Sequence, residues 1–142
     1  MSSGGAAAPV AEGDHGAPRT WGPITRTDIV RYAGASGDFN PIHHDEVYAQ
    51  QVGFPMVFSI GMYQASLLAT YATDWLGADA IRRYSVRFRE KVWPGDVLTC
   101  SGVVTKVVES GRGFTVEVDL ACTRQTGDVA ITGAATFEIE ID

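Results

Sequence analysis

Apolar residues recur at helical spacing in the first half of the chain and alternate with polar residues in the second half. Over residues 59–76, small side chains occupy most positions between the large apolar ones. The large apolar residues of this segment are Ile60, Tyr63, Leu67, Leu68, Tyr71 and Trp75. A helix that is apolar or small nearly all round is surrounded by protein. The pattern therefore predicts one long central helix over residues 59–76.

Four strands are predicted after this helix. Apolar and polar residues alternate over residues 84–89 and 114–123, and residues 97–108 and 129–139 are also predicted as strands. Turn sequences at residues 93–96 and 125–128 separate neighbouring strands, and short turns imply antiparallel pairing. One long helix with a twisted antiparallel sheet curled around it is an α+β architecture, which we expect for residues 19–142 as a single domain.

Two shorter helices are predicted before the long one. Thr25 can cap a helix at its N-terminus, and Asp28 complements the positive end of that helix. Gly34 and Gly37 end it. Asp45 caps a second helix over residues 46–51. The segment between the two helices is expected to be irregular, because a proline at position 41 disfavours the helical region for the preceding residue.

The first eighteen residues are mostly Ser, Gly, Ala and Pro, without a basic start or a continuous apolar stretch. They predict a flexible tail over residues 1–18, not a signal peptide, with His15 inert within it. The longest apolar stretch, residues 60–76, contains Gln64, Thr70, Thr73 and Asp74 and falls short of a membrane-spanning helix. We expect a soluble, cytoplasmic protein that does not bind a membrane.

Charge and cysteine spacing disfavour two classes of function. The 142 residues carry 11 Lys and Arg against 17 Asp and Glu, a net charge of −6, whereas nucleic-acid binders usually carry a basic stripe. Cys100 and Cys122 have no metal-binding spacing, so we expect two core thiols. The run at residues 43–46 is not expected to bind metal, because the adjacent side chains of His43 and His44 point in opposite directions and Asp45 is better used as a cap.

The segment between the first two helices carries the functional signal. Asp38 and His43 lie five residues apart, on a stretch that Gly37 makes flexible and Pro41 stiffens. When bent, this stretch can bring the carboxylate and the imidazole to a single water. Such a pair suits general acid–base catalysis, because both groups can titrate near the operating pH when their surroundings shift them. Asn40 can hydrogen-bond locally and maintain the bend.

Residues 32–43, YAGASGDFNPIH, resemble the hydratase motif of MaoC-like (R)-specific enoyl-CoA hydratases, a family that includes (3R)-hydroxyacyl-thioester dehydratase subunits. The resemblance extends from about Trp21 to the C-terminus, including the segments around Tyr84 and Trp93. It implies the hot-dog fold, in which an antiparallel sheet wraps a long helix, usually as a dimer or a double hot dog.

The same resemblance implies reversible hydration of trans-2-enoyl thioesters to (3R)-3-hydroxyacyl thioesters, with no metal or cofactor. Matched position by position, Asp38 and His43 are the acid–base pair that holds the water, and Asn40 orients the loop. Gly61 offers a backbone N–H to the thioester carbonyl at the start of the long helix. The chain departs from the family at Ile60, where members often have histidine.

Ser59 and one basic cluster have two interpretations each. Ser59 is favoured as the N-cap of the long helix over a contact with substrate. Arg87, Arg89 and Lys91 form either a solvated strand face or a contact for the phosphates of a pantetheine-linked substrate. That substrate is an acyl-CoA or an acyl-carrier-protein thioester.

Two other functions are compatible with the same fold. The chain can be a thioester-binding or stabilising subunit of a heteromeric dehydratase. A thioesterase is less favoured, because that chemistry usually needs a carboxylate on the central helix and residues 59–71 contain none. We expect a homodimer or a heterodimer with a related hot-dog subunit, since the sheet edge and the helix aromatics Tyr63, Tyr71 and Trp75 need covering.

Overall fold

A long helix packs against one face of a five-stranded antiparallel sheet. The computed structural model describes residues 7–141. The elements are β1 Arg19–Trp21, α1 Arg26–Ser36, a 3-10 turn Pro41–His43, α2 Glu46–Gln51, α3 Gly61–Leu76, β2 Ile81–Phe88, β3 Leu98–Ser110, β4 Gly113–Arg124 and β5 Val129–Glu140. The strands lie in the order β1-β3-β4-β5-β2. The four predicted strands and the α+β architecture are confirmed, and the extended piece at Trp21 adds the fifth strand.

The core lies between α3 and the concave face of the sheet. On α3, Leu68 and Ala72 are fully buried. They face inward-pointing strand residues that alternate with outward-pointing polar ones, as in β4, where Val116, Val118 and Leu120 are buried. Cys100 and Cys122 are opposite each other on β3 and β4, and both are buried free thiols, as predicted. Within residues 7–141, no helix is long and apolar enough to cross a membrane.

The long helix begins two residues later than predicted. The backbone N–H of Ser59 donates to the carbonyl of Val92, and Ile60 is extended at φ −74° and ψ 125°. These constraints keep both residues outside the helix, so Ser59 is not the N-cap. The N-cap is Ile60, whose side chain lies in the core and cannot cap.

The sheet covers one side of α3, and the opposite side is exposed. Met62, Ser66, Thr70 and Asp74 recur every four residues and form an exposed stripe along the helix. The prediction of a helix surrounded by protein on all sides is therefore wrong for the single chain. Small size and weak polarity at Ser66 and Thr70 made this face look buried in the sequence.

Part of the predicted flexible tail pairs with the sheet. The N–H of Gly13 donates to Val104, the N–H of Val104 donates to the carbonyl of Asp14, and His15 bridges to Val103. Gly16 permits this close approach, because a Cβ there would lie 2.9 Å from the ring of Trp75. The prediction of a free tail over residues 1–18 is wrong for residues 13–16, and residues 1–6 lie outside the described range.

The two short helices begin where the sequence predicts. Thr25 accepts a hydrogen bond from the N–H of Asp28, whose carboxylate accepts one from the N–H of Thr25, so the pair forms a capping box. Gly37 ends α1 in the left-handed conformation at φ 78°. Asp45 caps α2 by accepting from the N–H of Tyr48. Local side-chain chemistry therefore determines both ends of the segment that carries Asp38 and His43.

We expect Thr25→Ala to lower the free energy of unfolding by about 1 kcal/mol, because it leaves the N–H of Asp28 without its cap. Thr27→Ala is the matched control, since Thr27 is an exposed residue on the same helix and leaves the cap intact. Urea unfolding of the three proteins measures the difference. Equal stability of the two variants would contradict a contribution from the capping box.

Candidate active site

Asp38 and His43 are positioned by a tight loop that follows α1. The N–H of Asn40 donates to Oδ1 of Asp38 at 3.2 Å, and Oδ1 of Asn40 accepts from the N–H of Ile42 at 3.2 Å. Asn40 thereby caps the 3-10 turn in which Pro41 is the first residue. The loop is bent by these bonds, and Oδ2 of Asp38 stays free for other contacts.

The surroundings of His43 determine which of its two ring nitrogens carries the proton in the neutral imidazole. Nδ1 lies 2.8 Å from the carbonyl oxygen of Phe58, and a carbonyl can only accept a hydrogen bond. Nδ1 therefore carries the proton in the neutral ring, and Nε2 presents a lone pair. The ring of Phe58 also packs edge-on against the imidazole, and His43 is buried. His43 is thus a rigid, oriented base.

Oδ2 of Asp38 lies 3.9 Å from Nε2 of His43. That separation is too long for a direct hydrogen bond, but one water at about 2.8 Å from each atom can contact both. The side chain of Asp38 is 43 % exposed, whereas that of His43 is 9 % exposed. The pair therefore opens towards solvent on the carboxylate side, where a substrate or water can enter.

Glu46 fixes the segment that carries the Phe58 carbonyl. Its Oε1 accepts from the N–H of Val57 at 2.9 Å, and its Oε2 accepts from Arg26 at 2.8 Å. The bond from the Val57 N–H, followed by the bond from Arg26, lowers the pKa of Glu46 below its usual value. An ionised Glu46 thus links α1, α2 and the loop before α3, and so supports the orientation of His43.

A cavity of about 210 Å³ joins His43 to the N-terminus of α3. Its lining consists of His43, Phe58, Ser59, Gly61, Gln64, Phe88, Arg89, Glu90 and Lys91. The first N–H groups of a helix have no intrahelical acceptor, and no side chain of the described residues caps α3. At Gly61, a Cβ would lie 2.8 Å from the ring of Phe88, so any larger residue would displace that ring.

Two buried polar side chains meet at the wall of this cavity. Oγ of Ser59 donates to Oε1 of Gln64 at 2.6 Å, and the two residues are 3 % and 2 % exposed. The sequence pattern indicated two interpretations for Ser59 but none for Gln64. The available signal was its position three residues after Gly61, which places both on one face of the helix.

The predicted basic cluster lies across two neighbouring depressions, and Arg89 lines both of them. Arg89 and Lys91 line the cavity, and Nζ of Lys91 lies 5.2 Å from the ring centroid of Phe54. Arg87 instead lines an open depression on the sheet. Two of the three residues therefore remain candidates for contact with a substrate at this site.

Ile60 and His44 add no polar group to the cavity. Ile60 is 3 % exposed and belongs to the hydrophobic core. His44 is exposed and lies near the carbonyl of Phe39. Among residues 7–141, no three His, Cys, Asp or Glu side chains are grouped to hold a metal ion.

The chain matches a known protein family along most of its length. The profile described as "MaoC like domain" matches residues 9–126. The (R)-specific enoyl-CoA hydratase of Rhodospirillum rubrum is 36% identical over 118 residues, covering 82% of this chain and 80% of that protein. The 3-hydroxybutyryl-CoA dehydratase of Methylorubrum extorquens is 31% identical over 119 residues, covering 82% and 73%.

Solved structures share the fold over nearly the whole chain. An (R)-hydratase from A. caviae involved in PHA biosynthesis aligns with a TM-score of 0.82 at 25% identity, covering 94% of this chain and 99% of that one. The ChsH1-ChsH2 complex from Mycobacterium tuberculosis contains a chain that aligns with a TM-score of 0.79 at 25% identity, covering 92% and 98%. These likenesses confirm the predicted hot-dog fold.

Proposed function

The chain belongs to the MaoC-like domain family, and on that premise we propose that it catalyses reversible hydration of trans-2-enoyl thioesters to (3R)-3-hydroxyacyl thioesters. The observation that carries the proposal is the separation of 3.9 Å between Oδ2 of Asp38 and Nε2 of His43, beside the cavity that reaches Gly61. Relatives named as a hydratase and as a dehydratase support the two directions of one reaction.

In the hydration direction, one water is held between Asp38 and His43. Asp38 accepts a hydrogen bond from one O–H of the water, and Nε2 of His43 removes the other proton as the oxygen bonds to C3 of the enoyl group. The electron pair moves from the C2–C3 double bond towards the thioester carbonyl. Imidazolium then delivers its proton to C2, which regenerates neutral His43. Dehydration follows the same steps in reverse.

The thioester carbonyl gains negative charge during this reaction and needs a hydrogen-bond donor. The N–H of Gly61 is the first of α3, where the helix dipole also favours negative charge. The Phe88 ring occupies the space that a side chain at position 61 would take, so the carbonyl reaches this N–H from the cavity that Gly61 lines. We therefore assign Gly61 to the carbonyl oxygen.

Arg89 and Lys91 suit the charged end of a pantetheine-linked thioester. Both line the cavity that contains His43, and both can bind the phosphates of CoA or of an acyl carrier protein. Arg87 is not part of this assignment, because it does not line the cavity that contains His43, although Arg89 also borders the depression that Arg87 lines. Both carriers are therefore compatible with the proposed site.

A second subunit is the other component of the proposal. Phe39, Met62 and Phe88 are 65%, 55% and 55% exposed near the acid–base pair and the start of α3. Large exposed apolar side chains of this kind favour coverage by another protein surface. A similar chain occurs in a two-protein complex, so either a homodimer or a heterodimer with a related hot-dog subunit is compatible with the proposal.

We expect the purified protein to hydrate trans-2-enoyl-CoA, measured as loss of the enoyl-thioester ultraviolet absorbance. Substrates of increasing chain length are compared on CoA and on acyl carrier protein. The 3-hydroxyacyl product should be oxidised by a (3R)-specific dehydrogenase and not by a (3S)-specific one. Light scattering of the same sample measures the subunit number.

The outcomes distinguish the two candidate roles. Hydration by a homodimer supports the enzyme as proposed. A folded protein that is inactive on both carriers overturns the proposal for this chain alone. Activity that appears only after a second hot-dog subunit is added would instead support the heteromeric subunit role.

A further inference from the structure

We infer that the side-chain amide of Gln64 is a second hydrogen-bond donor to the substrate's thioester carbonyl oxygen, and that Ser59 positions it. This inference rests on the proposed function and extends it to two residues without an assigned role. It begins from the side-chain NH₂ group of Gln64, a buried residue, which forms no hydrogen bond within residues 7–141.

Gln64 is 2 % exposed, yet half of its amide has no partner. Oε1 accepts the Ser59 hydroxyl at 2.6 Å, whereas Nε2 has no hydrogen-bond partner within residues 7–141. Among residues 7–141, the Tyr71 hydroxyl is the one fully buried side-chain N or O atom without a partner, so Nε2 of Gln64 is not sealed in the core and meets accessible space. Gln64 lines the same cavity as His43, so its free N–H groups have a place for an acceptor there.

Helix geometry directs Gln64 towards Gly61. The two residues are three apart in α3 and lie on one face, and helical side chains lean towards the N-terminus of the helix. Gly61 has no side chain to separate the amide from its own N–H. The backbone donor of Gly61 and the side-chain donor of Gln64 can therefore converge on one acceptor atom.

Ser59 determines which end of the amide faces the cavity. With its hydroxyl donated to Oε1, the oxygen is occupied and the NH₂ group is presented to the substrate. The N–H of Ser59 is itself bonded to the Val92 carbonyl, which fixes this residue before the helix begins. Ser59 is thus a positioning residue that acts through Gln64.

A neutral amide suits an acceptor that becomes charged during the reaction. The carbonyl oxygen is a weak acceptor in the bound enoyl thioester and a strong one in the enolate-like transition state. Donors that are already oriented favour the transition state over the ground state. Gln64 should therefore affect kcat more than KM.

The first test compares Gln64→Met and Gln64→Glu with the wild type, using crotonyl-CoA. Glutamate keeps Oε1 as an acceptor for Ser59 but replaces the NH₂ donor. We expect kcat to fall about 10²-fold in both variants, with KM within about threefold of the wild type. Gln51→Met is the matched control, since Gln51 is an exposed helical residue outside the cavity.

The second test measures the carbonyl directly. In an Asp38→Asn background, bound crotonyl-CoA persists long enough for difference infrared spectroscopy. The thioester C=O stretch should lie at lower frequency with Gln64 than with methionine at this position. Ser59→Ala should lower kcat by a smaller factor, and should cause no further loss when combined with Gln64→Met.

Each outcome supports or overturns the inference. An active wild type with near-normal Gln64→Met overturns the role of Gln64 and leaves the proposed function intact. An active Gln64→Glu also overturns it, because activity without the NH₂ group shows that this donor is not needed. If folded wild-type protein hydrates no enoyl thioester on either carrier, the proposed function fails, and this inference fails with it.

Discussion

Replacing His43 by alanine is expected to lower kcat for enoyl-CoA hydration by about 10²–10⁴-fold, the usual contribution of a positioned acid–base group. The substitution removes Nε2, which is the base for the water and the proton donor to C2 in the proposed reaction. Asp38→Asn should cause a loss of the same order. A carboxylate only accepts hydrogen bonds and so holds the water by its O–H group, whereas an amide can also donate to the water and hold it in a different orientation. Initial rates at saturating crotonyl-CoA measure both effects.

The neighbouring residue provides a matched control for this experiment. His44 is exposed and lies outside the cavity, so His44→Ala should retain activity close to that of the wild type. The double variant Asp38→Asn, His43→Ala should be little worse than either single variant, because the two groups act on one water. Retention of activity in both single variants would contradict the acid–base mechanism.

Short-range patterns in the sequence predicted the helix ends on either side of Asp38 and His43. Thr25 and Asp28 form the capping box at one end of α1, Gly37 ends that helix, and Asp45 caps α2. Each of these effects depends on residues within about four positions of one another. The bend between α1 and α2, which brings Asp38 close to His43, could be predicted for the same reason.

Features that depend on distant backbone atoms could not be predicted. The proton position on His43 depends on the carbonyl of Phe58, fifteen residues away in the chain. The start of α3 depends on the bond between the Ser59 N–H and the Val92 carbonyl. Gln64 was missed because its position on the same helix face as Gly61 indicates a site only once the cavity beside both residues is known.

The N-terminal segment, residues 1–18, is a second case in which the sequence pattern did not predict the structure. Composition alone made residues 1–18 resemble a flexible segment. Pairing of residues 13–16 with β3 uses backbone groups and glycines, which carry no hydrophobic pattern. A segment can therefore look unstructured in sequence when its backbone, and not its side chains, attaches it to a sheet.

The turn that leads into β3 contains the most highly bonded carboxylate of the described residues. Asp96 is buried, and its two oxygens accept from the Trp93 N–H, from Arg124 at 2.7 Å and 3.2 Å, and from Gln125 at 2.8 Å. Burial acts to raise the pKa of Asp96, but the bonds from Arg124, Trp93 and Gln125 outweigh it and lower the pKa below its usual value. The ring of Trp93 also packs against Phe58, which connects this turn to the site.

Asp96→Ala is expected to lower the free energy of unfolding by about 3–5 kcal/mol, because it leaves the largely buried Arg124 without its main partner. That is a large part of a typical domain's stability of about 5–15 kcal/mol. Asp128→Ala is the matched control, since Asp128 also approaches Arg124, at 3.7 Å, but is 58 % exposed. It should cost about 1 kcal/mol or less. Urea midpoints at neutral pH compare the two variants.

The effect of pH gives a second, independent measurement of the same interaction. The folded pKa of Asp96 lies below its ordinary value of 3.8, so the ionised carboxylate stabilises the fold at neutral pH. That stabilisation is fully present above the unfolded pKa and is lost as the pH falls through the folded pKa. The difference in unfolding free energy between wild type and Asp96→Ala should therefore be constant from about pH 6 to 8 and shrink below about pH 4. A difference that stays constant into acid, or a loss no larger than that of Asp128→Ala, would show that the charge of Asp96 does not stabilise this turn.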